Sequence, residues 1–278
     1  MSSQYIGFII IFSVAMLSRM ISFIYLTKKY EPTFQLIEEK ENGFMHFLKK
    51  VRSENYGLFV LYLSFMNFSV YLASPFFTPY MLYTLGLDYK IYTLVHAASL
   101  IIKFITMPIW GELLDKYGTK KILVVSGVLM PLVPLLWIFS QKIWYLILIQ
   151  CYGGFIWAGF EISSFTFIFD TTAPHQRAAY VAYFNVINGI AVFFGGIIDG
   201  AIIRYNPLFS SHYFSVFILS SLLRYAASFF FLLQLKEVRV VEEISYRKLL
   251  FKFITTMPTR GLVYNVITLK KNNKSQDT

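Results

Sequence analysis

The sequence predicts an all-α integral membrane protein with about seven transmembrane helices. Three observations predict it. First, 56% of the 278 residues are hydrophobic and only 14% are charged, whereas a soluble domain has roughly 25% charged residues. Second, seven apolar stretches are long enough to cross a hydrocarbon core of about 30 Å as helices. Third, the basic residues lie mostly between these stretches, so the net charge of +10 indicates membrane topology and excludes a nucleic-acid partner.

The predicted spans follow one another along the whole chain. In order, they cover residues 5–27, 57–79, 89–110, 122–140, 143–167, 178–204 and 212–236. Prolines interrupt several of them, which transmembrane helices tolerate better than soluble ones. The first span has no basic residue before it and no small-residue cleavage site after it, so it does not resemble a cleavable signal peptide.

Lysine and arginine are divided unequally between alternate loops. Nineteen of the 25 basic residues lie in or next to residues 28–56, 111–121, 168–177 and 237–278, and three lie in the other loops. The positive-inside rule therefore predicts an N-terminus outside and a cytoplasmic C-terminal tail. We expect a multi-pass protein of the cytoplasmic (inner) membrane, with the lipid bilayer as its first partner.

Two basic segments on the predicted cytoplasmic side contain apolar residues at helical spacing. They are "FMHFLKKV", at residues 44–51, and "YRKLLFKFI", at residues 246–254. Each is expected to form an amphipathic helix at the membrane interface. A plain solvated linker is the alternative.

Four of the spans carry polar side chains on one face, at a spacing of three or four residues. Polar groups are costly in hydrocarbon and usually face a bundle interior or an aqueous cavity. We therefore predict a shared polar lumen that takes a small-molecule substrate. The residues expected to line it are Asn67, Tyr71, His96, Lys103, Trp157, Glu161, Asn185 and Asn188.

Lys103 and Glu161 are the most informative members of this set. Each lies six or seven residues from the cytoplasmic end of its predicted span, which is roughly 10 Å deep at 1.5 Å per residue. An ion pair or a shared ligand is one expectation, and separate solvation is the other. Glu161 is the best candidate for proton coupling, and Lys103 for contact with an anionic group. His96 is a proton carrier or, more often for a lone histidine, a hydrogen-bonded interior residue.

The first and last spans share a short pattern. "MLSRMIS" and "SLLRYAAS" each place an arginine, Arg19 or Arg224, within a span, and a lysine and an acid follow at the exit. The match suggests two related units, of which the second is a complete six-helix unit over about residues 57–236.

The stretch "WGELLDKYGTKKILVVSG" joins the third and fourth spans on the basic side. It resembles the loop motif of the major facilitator superfamily, Gly-x-Leu-x-Asp-(Arg/Lys)-x-Gly-x-(Arg/Lys)-(Arg/Lys). The residues of this gating motif are Gly111, Asp115, Lys116, Gly118, Lys120 and Lys121. A second stretch, "DTTAPHQR", is similar to the loop of the same family that contains Pro-x-x-Arg, through Asp170, Pro174 and Arg177. His175 stands where an acid is common.

The resemblance implies a register for the whole chain. Residues 1–27 would be helix six of a twelve-helix transporter, 28–56 the central cytoplasmic loop, 57–236 the C-terminal six-helix bundle and 237–278 a basic cytoplasmic tail. Helices seven, eight, ten and eleven would line the cavity, and nine and twelve would be peripheral. Asp115 would tether the cytoplasmic helix ends through charge and helix-terminus interactions, and the lysines would anchor them to anionic headgroups.

The function implied is secondary active transport of a small solute by alternating access. No cofactor is expected, although a proton or sodium gradient could drive the transport. The alternative is a non-transporting or partner-dependent membrane module, a split or truncated transporter half that could pair with a separately encoded N-terminal half. An enzyme is not expected, because the sequence has no P-loop, no zinc-binding histidine pair and no acid pair on one helix.

Overall fold

The computed structural model describes residues 2–29, 43–205, 212–242, 244–246 and 248–249. The chain divides into two units, Met1–Glu41 and Asn42–Thr278. Over the described residues, seven helices are long and apolar enough to cross a membrane. They are Ile6–Thr27, Asn55–Thr84, Tyr89–Tyr117, Thr119–Leu136, Ile143–Thr171, Arg177–Ile198 and Tyr213–Leu232. The prediction of an all-α membrane protein with seven spans is therefore confirmed.

The first unit contains one described helix, α1 (Ser2–Thr27). Its few polar side chains satisfy themselves locally: the Ser18 hydroxyl donates to the Val14 carbonyl and the Thr27 hydroxyl to the Ile24 carbonyl, both at 2.9 Å. Such back-bonding lets small hydroxyl residues sit in an apolar helix. Arg19 is exposed within this unit.

The second unit is a bundle of helices α2 to α10. Their bounds are α2 Phe44–Lys50, α3 Asn55–Tyr71, α4 Ser74–Pro79, α5 Tyr89–Tyr117, α6 Thr119–Leu129, α7 Leu132–Leu136, α8 Ile143–Thr171, α9 Arg177–Tyr205 and α10 His212–Ala227. Two π-helical turns, Tyr80–Thr84 and Ser228–Leu232, extend α4 and α10.

Prolines explain why two of the spans are divided into shorter helices. Pro75 lies in the first turn of α4, after the end of α3, and Pro131 lies between α6 and α7. Proline lacks the N–H that a continuous helix needs and its ring clashes with the preceding turn. Pro108, by contrast, lies inside the unbroken α5, as transmembrane helices allow.

Small residues set the packing of the bundle. A side chain at Gly154 of α8 would collide with the backbone of Ser99 in α5, and one at Gly159 would meet the Trp110 indole within 3 Å. The Trp110 indole N–H donates to the Phe155 carbonyl at 2.8 Å. Helices pack closely in membranes where small residues let their backbones approach, so α5 and α8 form a tight pair.

Helix α10 is held by serine hydroxyls on its inner face. Ser220 donates to the Ser69 carbonyl of α3 at 2.5 Å, and Ser221 donates to the Pro131 carbonyl at 2.6 Å. Ser228, at the start of the π-helical turn, donates to the Gly127 carbonyl of α6 at 2.9 Å. Interhelical hydrogen bonds of this kind are common between transmembrane helices. They orient the polar face of α10 toward the bundle interior.

The expected interfacial helix at residues 44–51 is present as α2, but its apolar face packs on protein. Phe47 is 3% exposed. Its ring lies 5.7 Å from that of Tyr180, edge to face, and 5.3 Å from that of Tyr183, stacked. Aromatic partners on α9 therefore cover the part of this face around Phe47, whereas Leu48 is exposed. A position of the helix at the membrane interface stays a prediction.

One end of the bundle, which we call the basic end, gathers helix α2, the turn between α5 and α6, the loop between α8 and α9, and residues 233–242. Leu249 is fully buried and belongs to an apolar cluster with Ile109 and Leu113. Of the predicted amphipathic segment 246–254, residues 247 and 250–254 lie outside the described part of the chain.

Candidate functional site

Lys103 of α5 and Glu161 of α8 form an ion pair between their ammonium and carboxylate groups. Close packing of the two helices at Gly154 brings these side chains together. The Lys103 side chain is 24% exposed and that of Glu161 is 51% exposed. The expectation of an ion pair is confirmed. Helices α5 and α8 run past the predicted ends of their spans, residues 110 and 167, to Tyr117 and Thr171.

A second polar contact joins α3 to α9. The Asn67 amide donates to the Asn188 amide oxygen at 2.7 Å. Gly195 allows the approach, because a side chain there would meet the Phe68 carbonyl at 2.7 Å. Tyr71 lies beside Gly195 and is 44% exposed. Asn185, one turn before Asn188, is also exposed.

His96 and Trp157 lie in a third place, around a cavity of about 330 Å³ between α3–α4, α5, α7, α8 and α10. The His96 ring stands edge-on to the Tyr92 ring, with centroids 4.7 Å apart. The eight predicted lining residues thus fall into three groups: an α5–α8 ion pair, an α3–α9 contact with exposed neighbours, and part of an interior cavity. Their role as substrate contacts stays a prediction.

Sequence reasoning missed one residue of the interior cavity, Arg224 of α10. It lines the cavity, and its side chain is almost wholly buried. The signal that could have found it is the repetition of Ser220, Arg224 and Ser228 at four-residue spacing. That repetition marks a polar face on a helix that the resemblance implied to be peripheral.

The loop motif forms a tight reversal between α5 and α6. Gly118 ends α5 at φ +95° and ψ 153°, a conformation essentially restricted to glycine. A side chain at Gly118 would also collide with the Glu237 carboxylate, and Gly111 lies close to Ile162 of α8. Each motif glycine therefore has a physical reason: Gly111 permits close contact with α8, and Gly118 permits the turn.

The two loop motifs meet at Arg239, which follows the last span. Its guanidinium Nε donates to Asp170 at 2.8 Å and its Nη1 donates to Asp115 at 3.1 Å. The Thr119 hydroxyl donates to the same Asp170 oxygen at 2.6 Å. Desolvation lowers the pKa of Arg239, but hydrogen bonds and charge attraction from Asp170 and Asp115 more than offset it and raise that pKa above its ordinary value. The arginine therefore stays charged and bridges α5 to α8.

Glu237 contacts the N-terminus of α6. Its carboxylate accepts from the Lys120 backbone N–H at 2.9 Å and from the Val238 N–H at 3.1 Å. A carboxylate at a helix N-terminus is favoured by the helix dipole and by unpaired N–H groups. The helix-terminus contact expected of Asp115 is thus made by Glu237 instead, since Asp115 is drawn to Arg239.

The motif lysines contact the same C-terminal segment. Lys116 forms an ion pair with the Glu242 carboxylate at 3.6 Å, and the Lys121 ammonium donates to the Glu242 carbonyl at 3.3 Å. Residues 236–242 therefore cross the loop motif as a strap, which we call the C-terminal strap. Anchoring of the lysines to headgroups stays a prediction.

The second loop motif is divided between two roles. Asp170 belongs to the Arg239 contact, whereas Arg177 bonds back to its own loop, donating to the Phe169 carbonyl at 3.2 Å. The Arg177 guanidinium also lies 4.9 Å from the centroid of the Phe169 ring. Pro174 and His175 are exposed. Arg177 thus closes the turn between α8 and α9.

Among the residues that the structure describes, no group of three or more His, Cys, Asp or Glu side chains could hold a metal ion. In a comparison with known protein families, a family model described as Major Facilitator Superfamily matches residues 58–269. No curated protein sequence matches the chain at a significant level.

Proposed function

The chain belongs to the Major Facilitator Superfamily, whose members are membrane transporters, and on this premise we propose that it serves secondary active transport of a small solute by alternating access. The observation that carries the proposal is the ion pair of Lys103 and Glu161 within two membrane spans. A charged side chain in hydrocarbon is expensive and usually marks a substrate or ion pathway.

The exposure of this pair supports a role in coupling. A fully buried ion pair would serve packing, whereas the Glu161 carboxylate is about half exposed and open to a proton, a cation or a solute. Protonation of Glu161 would release Lys103 to an anionic group, and binding of that group would in turn favour the protonated acid. We assign Glu161 as the coupling acid and Lys103 as its partner.

We further propose that the described helices correspond to helices six to twelve of the family's twelve. Asn185 and Glu161 are polar and exposed within spans, and hydrocarbon would not satisfy them. A facing N-terminal half, with an aqueous cavity between the halves, would satisfy both. The basic end would be cytoplasmic and the protein would lie in the cytoplasmic membrane, in agreement with the distribution of lysine and arginine.

The C-terminal strap fits this scheme as a mechanical element. Arg239 joins the ends of α5 and α8, and Glu237 holds the start of α6. Alternating access in such transporters is largely a rigid-body movement of one bundle against another. We propose that the strap keeps the basic end of the bundle rigid while the bundle rocks.

The experiment is uptake into proteoliposomes across an imposed pH gradient, measured with a panel of labelled solutes. For a solute whose uptake depends on the gradient, Glu161→Gln should abolish that dependence, because the amide cannot exchange a proton. The matched control is Glu112→Gln, because Glu112 lies on the exposed surface of α5. This variant should keep the dependence of uptake on the pH gradient. Unchanged pH-dependent uptake by Glu161→Gln would exclude Glu161 as the coupling acid.

A second candidate function, a partner-dependent module that does not transport alone, is favoured by the exposed polar residues just described. It is tested by reconstituting the purified chain with and without a co-purifying five- or six-helix partner. Uptake only in the presence of the partner supports this candidate, and uptake by the chain alone argues against it.

A further inference from the structure

The interior cavity at Arg224 is separate from the Lys103–Glu161 pair. Its polar lining comes from four helices: Ser74 and Thr78 of α4, His96 and Ser99 of α5, Gln150 of α8, and Arg224 of α10. The aromatic side chains Phe77, Trp137 and Trp157 complete the wall. A volume of about 330 Å³ is at the lower end for small-molecule sites, which combine apolar walls with a few polar groups in this way.

Arg224 is a buried cation without an anion. Its side chain is 3% exposed, and its Nε has no hydrogen-bond partner within the described part of the chain. None of the described residues that line the cavity is Asp or Glu. Arginine cannot lose its proton under ordinary conditions, and a buried charge is stable only when paired or hydrogen-bonded. The structure therefore places a positive charge in a cavity whose described lining residues supply no counter-charge.

The orientation of Arg224 is fixed by its neighbours. Ser220 and Ser228, one turn before and one turn after it, are both committed to backbone carbonyls of adjacent helices. The polar face of α10 cannot rotate outward without breaking these bonds. Arg224 is thus held toward the cavity by the same contacts that hold its helix, and the cavity is a built site rather than an accidental gap.

A second polar atom of the cavity also has no partner among the described residues. His96 Nε2 is buried and has no hydrogen-bond partner among the described residues. Gln150, Ser74 and Thr78, which also line the cavity, offer neutral polar groups. One cation, one unpaired imidazole nitrogen and aromatic walls are complementary to a small molecule that has one anionic group on a planar or apolar body.

We propose that this cavity binds a small organic anion, whose carboxylate or similar group pairs with Arg224 and whose apolar body lies between Trp137 and Trp157. The site shares no residue with the Lys103–Glu161 pair. The proposal concerns binding, so it is tested without transport, and its failure would leave the proposed coupling role of Glu161 untouched.

The test uses the full purified chain in non-ionic detergent and ¹⁹F NMR of 4-fluorobenzoate, with 4-fluorobenzamide as the neutral molecule of matched shape. We expect saturable binding of the benzoate and at least tenfold weaker binding of the benzamide. Arg224→Gln should weaken benzoate binding at least tenfold. Lys90→Gln, which removes an exposed cation of α5 outside the cavity, should not change it. Equal affinity of the wild-type chain for benzoate and benzamide overturns the proposal, as does an equal loss in both variants.

Thermal unfolding distinguishes a ligand-binding arginine from a structural one. Without ligand, Arg224→Gln should unfold at a higher temperature than the wild type, because it removes a buried charge that nothing compensates. The rise in unfolding temperature that 4-fluorobenzoate produces in the wild type should be lost. A lower unfolding temperature together with unchanged benzoate binding would show a structural role and overturn the proposal.

Arg224→Lys covers the case in which the glutamine variant does not fold. It keeps the charge but loses the planar fork that pairs with a carboxylate. Binding that is retained but several-fold weaker supports the proposal, and binding equal to that of the wild type for both benzoate and benzamide contradicts it.

Discussion

Arg239 and Arg224 lie on either side of the π-helical turn Ser228–Leu232, and their surroundings are opposite. Arg239 lies at the basic end, is about a third exposed, and holds Asp170 and Asp115 at 2.8 and 3.1 Å. Arg224 lies inside the bundle, almost wholly buried, with no acid among the described residues around its cavity. The described residues supply carboxylates to the Arg239 guanidinium and none to that of Arg224.

The difference separates two uses of a charged side chain in an apolar protein. Arg239 gains from each carboxylate, and by joining loops from distant parts of the sequence it stabilises the end of the bundle. Arg224 has the cost of desolvation without that gain. A residue that lowers stability where it stands is one for which a binding role is the natural explanation, and sites of this kind are where folding and function conflict.

Among substitutions at the basic end, where Arg239 lies, we expect the largest loss of stability at Gly118. Gly118→Ala would impose a side chain on a backbone conformation reserved for glycine and drive it into the Glu237 carboxylate. Backbone strain and the collision with Glu237 together should lower the unfolding free energy by about 3 kcal/mol. The measurement is an unfolding titration in mixed detergent micelles, followed by tryptophan fluorescence.

Gly86→Ala is the matched control for this prediction. Gly86 also has a positive φ, +62°, but a side chain there would meet nothing within 4 Å. Gly86→Ala should therefore lower the unfolding free energy only through backbone strain, by about 1 kcal/mol. Equal losses in the two variants would mean that contact between the turn and the C-terminal strap contributes nothing.

The sequence alone allowed the spans and the two acids of the basic end to be predicted. It did not allow prediction of the arginine that joins the two acids. Asp115 and Asp170 belong to motifs that can be identified from local spacing. Arg239 lies far from both along the chain, and its position depends on where the strap crosses the loop motif. Tertiary contacts of this kind leave no local pattern, so Glu237 was missed for the same reason.

The polar faces were predicted well and their arrangement was not. Depth along two helices was enough to suggest that Lys103 and Glu161 meet, since both lie within spans that need a partner or water. The single lumen stays a prediction, because helix rotation about the axis decides which stripes face each other and the spacing of residues does not determine that rotation. Arg224 was overlooked since its helix was expected to be peripheral, although its serines already marked an inward face.

Removing Arg239 itself should have the next largest effect. Arg239→Met leaves Asp170, whose side chain is only 12% exposed, with the Thr119 hydroxyl but no cation. Loss of a charged hydrogen-bond partner should cost about 2 kcal/mol of unfolding free energy. Asp170→Asn in the same background should cost little more, because the two side chains act as one unit.

Lys116→Met provides the matched control for Arg239→Met. Lys116 pairs with Glu242 at 3.6 Å, and the two side chains are 49% and 66% exposed. An exposed pair contributes at most about 0.5 kcal/mol. If Lys116→Met were as costly as Arg239→Met, the stability of the basic end would reside in net charge rather than in the specific bridge.

The smallest effect is expected at Lys103, which is the intermediate case between the two arginines. Like Arg239, Lys103 has a carboxylate partner, and this one lies within a span. The partner, Glu161, is half exposed, so water competes with Lys103 for its carboxylate. Lys103→Met should therefore change the unfolding free energy by only about 0.5 kcal/mol, and that difference should shrink as salt rises from about 0.1 to 1 M. Unfolding titrations at both salt concentrations measure it. A large, salt-independent loss would mean that the pair is a packing element like Arg239 and Asp170, and it would remove the argument that its exposure keeps it available for coupling.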